Sequence, residues 1–162
     1  DIDIAVLVAD DAAAEQLTFA LVQRGYGVLA TVEQKRLSRL ATVRLRPPTG
    51  PAQGPVVDLL FCSSSIEPET VRSAERIEAF PSLQVPVATI PHLIAMKVLA
   101  RDDRRRPQDW DDLRAMLAEA TREEVERSRE LLAIIERRGA SRGRDLLPSF
   151  ESLLAEHGTT QR

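Results

Sequence analysis

Around Ile90 the chain changes texture, and that change restricts the folds open to it more than any other feature. Before it, short β-type runs alternate with turn-rich segments. After it, apolar residues recur at helical spacing and no strand pattern returns. The pattern predicts an α+β fold: a small mixed β-sheet lobe with flanking helices over residues 1–90, then a C-terminal helical bundle over residues 91–162. A chain of 162 residues has room for one ordinary domain or two small lobes, and nothing larger.

The opening run DIDIAVLV reads as a strand, and DDAAAEQLTFALVQRGYG as a helix with Asp10 or Asp11 as its N-cap and Gly25 as its stop. YGVLATV and RLATVRLRP are the second and third strands. The turn-rich PPTGPAQGP leads to PVVDLLFC, whose apolar character on both faces predicts a central strand paired with the third in a long hairpin. IEPETVRSAERIEAF is read as a short helix and an approach to LQVPVATI, a last short strand that Pro86 marks as an edge. Four helices are predicted next: PHLIAMKVLAR, with Pro91 as its first residue, QDWDDLRAMLAEA, REEVERSRELLAIIERRG closed by Gly139, and GRDLLPSFESLLAEHG.

Two aspartates in the first three residues of a strand need a reason, because Asp disfavours strand interiors. The period of two puts Asp1 and Asp3 on one face, close enough for one cation to bridge them; a strand end dipping into water is the plainer alternative. Asp58 is the only charge within PVVDLLF, and a carboxylate there is costly to ionise unless a cation or strong donors face it. Together Asp1, Asp3 and Asp58 make an all-oxygen donor set of the kind that holds one or two Mg²⁺ ions, suited to phosphoryl or nucleotidyl transfer. The competing reading of Asp58 is a buried acid paired with an arginine, for instance Arg44 on the adjacent strand.

Lys97 is the only charge in LIAMKVLA, a segment apolar all round its helix. It either snorkels to water or reaches an anion in a cleft. Asp109 and Asp112 lie three apart on the next helix, within reach of a Lys, an Arg or a substrate hydroxyl, or are ordinary acids favoured by the helix dipole. RDDRRRPQ gathers Arg101, Arg104, Arg105 and Arg106, which either meet an RNA backbone or form a solvated linker with Asp102 and Asp103. His92 and His157 have no partners at metal spacing, and Trp110 reads as core.

A net charge of −3 supplies no global field toward nucleic acid or anionic lipid. No apolar run is long enough to span a bilayer and no signal-peptide pattern opens the chain, so no membrane partner and a cytoplasmic location are expected. The single cysteine, Cys62, excludes an internal disulfide and reads as core filler.

A DID strand, a later strand with a third embedded Asp, and a helical stretch reading K-x3-R-x7-D-x2-D-L resemble the AbiEii-type nucleotidyltransferase toxins, within the superfamily related to DNA polymerase β. The likeness runs from residue 1 to about residue 120. It implies Asp1 and Asp3 as metal ligands, Asp58 as the third acid and base, Lys97 as the residue holding an NTP, and Asp109 as the acid that follows it. It also implies an RNA acceptor such as the tRNA 3′ end, and a cognate antitoxin. Members carry a G-G or G-S segment before the first Asp. This chain begins at that Asp, which we read as a piece of a longer protein. The alternatives are a catalytically silent nucleotide-sensing or protein-binding module and an antibiotic-modifying nucleotidyltransferase. Replacing Asp58 with Asn is expected to abolish activity with stability unchanged or raised.

Overall fold

The computed structural model describes residues 1–34, 39–49, 54–61, 65–101 and 108–160, with side chains through residue 156. Cys62, Arg104, Arg105, Arg106 and the His157 side chain, all considered above, lie outside the described residues. The chain forms two compact units, Asp1–Ser63 with Glu67–Val71, and Ser64–Ile66 with Arg72–Arg162.

In the first unit the elements are β1 (Ile2–Ala5), α1 (Asp11–Gln23), β2 (Gly27–Gln34), β3 (Arg39–Arg46) and β4 (Val57–Leu60). They form a mixed sheet in the order β1-β4-β3-β2, with β1 and β4 parallel and the other pairs antiparallel. The apolar run around Asp58 is therefore interior to the sheet, and β3 is its hairpin partner, as its two-sided apolar character predicts. Along β3 burial alternates: Ala41, Val43 and Leu45 are buried while Thr42 and Arg44 point to the other face. Val43 and Leu45 pack with Leu59, Phe61 and Ala14 of α1, each buried aliphatic side chain contributing about 1.5–3 kcal/mol.

Local chemistry fixes the ends of α1. Asp10 is the N-cap, its carboxylate accepting from the Ala13 N–H at 2.9 Å. Gly25 follows the helix at φ 89°, a left-handed conformation, and a Cβ there would stand 3.0 Å from Pro48 Cβ. Both conformation and space call for glycine.

The second unit holds a two-stranded antiparallel sheet, β5 (Glu75–Phe80) with β6 (Leu83–Val87), and the helices α3 (Ile90–Ala100), α4 (Gln108–Glu119), α5 (Arg122–Arg137) and α6 (Leu146–Thr160). A short helix, Glu67–Arg72, precedes it and is called α2. The sequence reading missed β5, taking those residues as an approach segment. Every β5 residue is exposed and its pairing shifts between Glu78 and Phe80, so neither a buried face nor a clean period of two marks the strand. Pro86 does sit on an edge strand, since a two-stranded sheet has no other kind.

Helices α3 to α6 share one core. Ile94, Ala95, Val98 and Leu99 of α3 meet Leu113 and Leu117 of α4, Leu131, Leu132 and Ile135 of α5, and Leu146, Phe150 and Leu153 of α6. Each helix therefore turns an apolar stripe inward, which is the helical texture visible beyond Ile90. Thr121 and Glu124 form a reciprocal capping box at the start of α5. Among the described residues no helix is long and apolar enough to cross a membrane.

Candidate functional site

Strand register assembles the acidic face of the first unit. Asp3 of β1 is the direct partner of Asp58 of β4, and Asp58 is in turn the partner of Arg44 of β3. Residues paired directly across a sheet share a face, so Asp3, Asp58 and Arg44 form one row across three strands. Asp1, two residues before Asp3, shares that face. The opposite face carries Val43, Leu45 and Leu59 against α1, which leaves the acids on the side that α1 does not cover.

Within that row Arg44 is the organising cation. Its Nε donates to Asp58 Oδ1 at 2.8 Å and its Nη2 to Asp58 Oδ2 at 2.6 Å, a two-pronged engagement that only a guanidinium can make. Nη2 also donates to Asp1 Oδ2 at 3.3 Å. The Asp58 side chain is 10% exposed, whereas those of Arg44 and Asp1 are 43% and 55% exposed. Arg44, by hydrogen bonding and by charge, holds the Asp58 carboxyl below the usual carboxylate range against the opposing pull of burial. The hydrogen bond to Asp58 likewise raises Arg44 above its ordinary value, and the charge of Asp3 adds to the effect.

The arginine pairing weighed for Asp58 from the sequence is therefore present, and it extends to Asp1. As the side chains lie, no three described His, Cys, Asp or Glu residues converge tightly enough to hold a metal ion. The donor set nevertheless fits a hard divalent cation in kind, being all oxygen, anionic and on one face. A cation already bridges Asp58 and Asp1 in the form of the Arg44 guanidinium.

The second unit carries its own charged knot. Lys97, in the last turn of α3, donates to Asp109 Oδ1 at 3.0 Å and to Asp112 Oδ2 at 2.8 Å, both on α4. Of the alternatives the sequence left for Lys97, the partner it meets is this pair of carboxylates. Asp109 lies in the first turn of α4, where the helix dipole favours an acid, and its side chain is 1% exposed. Burial pulls the Lys97 ammonium down, but its hydrogen bonds to Asp112 and Asp109 outweigh that, so it titrates above the usual lysine range. The ammonium thereby ties α3 to α4.

The remaining residues singled out from sequence have local partners. His92 is buried, with Nδ1 2.8 Å from the Thr89 hydroxyl. Trp110 packs against the bundle core, and Arg101 lies over its ring at 4.9 Å. The sequence reading missed the extent of Arg44's engagement. Its signal was the alternation of β3, which puts Arg44 on the non-core face, followed by a turn-rich link to the one charged position of β4.

Comparison with curated proteins finds no match. A family model described as nucleotidyl transferase AbiEii toxin, type IV TA system, matches residues 1–161, nearly the whole chain. With the DID strand, the third acid beside it and the Lys97–Asp109 pair all inside that match, the chain belongs to the AbiEii nucleotidyl transferase toxin family of type IV toxin–antitoxin systems.

Proposed function

We propose that this nucleotidyltransferase toxin transfers a nucleoside monophosphate from an NTP to a hydroxyl group on RNA, with tRNA as the acceptor, in a Mg²⁺-dependent reaction. The observation that supports this reading is the register pairing of Asp3 with Asp58 on parallel neighbouring strands, with Asp1 on the same face. Asp1, Asp3 and Asp58 would hold one or two Mg²⁺ ions, which supply charge neutralisation for the phosphates and a lowered pKa for the attacking hydroxyl.

The chain's own residues do the rest. Asp58, little exposed, would accept the proton of the acceptor hydroxyl at a carboxylate oxygen. Lys97 has three N–H donors, of which Asp109 and Asp112 take two; holding a phosphate oxygen of the nucleotide is the role that the family resemblance implies for it. Asp109 orients that ammonium and keeps it charged. A cognate antitoxin is the protein partner that the family implies.

The test is incubation of the protein with each α-labelled NTP, Mg²⁺ and total tRNA. Label should appear on tRNA, and should vanish with EDTA or in Asp58→Asn. Label on a small molecule such as an aminoglycoside, with none on RNA, would move the acceptor to another class. Undiminished transfer by Asp58→Asn would remove the acids from the site.

A further inference from the structure

Nothing in the pairing of β3 with β4 requires Arg44 to reach as far as it does. The backbone ladder already joins the two strands from Thr42 opposite Leu60 to Leu45 opposite Val57. Arg44 nevertheless spends both prongs on Asp58 and extends Nη2 to Asp1, so that one nitrogen stands between two carboxylates far apart in sequence. A cation bridging those acids would compete for the same oxygens, and a guanidinium only a few ångströms from a divalent ion is repelled by it. The arginine cannot withdraw by losing its proton. It can withdraw by rotating, because its side chain is 43% exposed while Asp58 is 10% exposed and fixed in the sheet.

We propose that Arg44 is a positioning residue of the acidic face: it holds Asp58 oriented through both carboxylate oxygens before metal binds, and it competes with a divalent cation for Asp58 and Asp1. The inference rests on the reading of Asp58 as a metal ligand. A divalent ion takes the acids only as the guanidinium leaves them, so Arg44 sets the metal concentration at which the site fills. The displaced guanidinium stays on the same face as a cation for phosphate oxygens.

Mn²⁺ titration of metal-free protein, with free ion measured by electron paramagnetic resonance, tests this without any turnover. Wild type should bind Mn²⁺ and Asp58→Asn should bind it far more weakly. Arg44→Gln should bind about tenfold more tightly than wild type, the size expected for losing a charge-assisted competitor at a carboxylate. Arg44→Lys, which keeps the charge but cannot engage both oxygens, should fall between them, and it carries the test if Arg44→Gln does not fold. A merely structural Arg44 would lower the melting temperature and leave Mn²⁺ affinity unmoved. If binding depends on Asp58 but is unchanged or weaker in the Arg44 variants, the competition is wrong and the metal reading stands. If Mn²⁺ binds no protein, or binds Asp58→Asn as well as wild type, the metal reading fails and the role of Arg44 fails with it.

Discussion

Among the described residues, each unit of this protein holds one cation between two aspartates, and the two arrangements differ in how exposed the cation and its more buried acid are. In the sheet unit Arg44 is 43% exposed, Asp1 55% and Asp58 10%. In the helical unit Lys97 is 26% exposed and its partner Asp109 only 1%. A half-exposed guanidinium has water to turn into, whereas the less exposed ammonium faces the more deeply buried carboxylate, which makes its removal the costlier of the two. The first arrangement therefore suits a site that exchanges its cation. The second suits a clamp between helices that also presents a charge.

The largest separation between the two should come from Asp58→Asn. Transfer activity is expected to fall by at least about a hundredfold, as for loss of a group that stabilises the transition state. Stability should drop by only about 1 kcal/mol. The sequence alone suggested unchanged or raised stability, from relief of like charges; the two hydrogen bonds from Arg44 are the reason a small loss is expected instead. Urea unfolding followed by circular dichroism, beside the transfer assay, checks both halves.

Lys97→Met should cost more in stability, about 2–3 kcal/mol, because buried Asp109 loses the ammonium it faces. Trp110 is the single tryptophan and lies on α4 beside Asp109, so its fluorescence reports unfolding of the helical unit. A loss below about 0.5 kcal/mol would place this pair with ordinary surface bridges and erase the contrast.

Alkali sharpens the same point. The folded Lys97 pKa is raised, so the stability it contributes is fully present below the usual lysine value and is lost as pH rises through the raised one. The stability gap between wild type and Lys97→Met, measured by urea unfolding, should hold at neutral pH and narrow only in strong alkali. A gap that narrows between pH values of about 6 and 8 would contradict this assignment.

The smallest effect belongs to the exposed pair of Arg129 with Glu151, at 2.6 Å between α5 and α6. Arg129, chiefly by its hydrogen bond, holds Glu151 below the usual glutamate range, so its contribution is present above the unfolded pKa and lost as pH falls through the lowered one. Screening limits it to a few tenths of a kcal/mol, about 0.3–0.5. Glu151→Gln should lower the urea midpoint slightly at pH 7 and match wild type in acid.

Periodicity made most of this fold legible. The switch at Ile90, the helices beyond it and the central place of the Asp58 strand follow from apolar spacing, because each buries one face or two. β5 did not, since an exposed hairpin owes its form to backbone pairing and imposes no apolar alternation. At the site, the shared face of Asp1 and Asp3 was readable from spacing alone. Pairing of Asp3 with Asp58 needed the β1–β4 register, which links residues far apart in sequence by way of α1, β2 and β3. The grip of Arg44 was harder still to read, because a long flexible side chain chooses among acids only once the strands are in place.

The most direct measurement is an anomalous diffraction map of crystals grown with Mn²⁺ and a non-hydrolysable NTP. The account predicts a peak within about 2.0–2.3 Å of carboxylate oxygens of Asp1, Asp3 and Asp58, with the Arg44 guanidinium turned away from Asp58. Manganese bound elsewhere, with Arg44 still bridging Asp58 and Asp1, would contradict it.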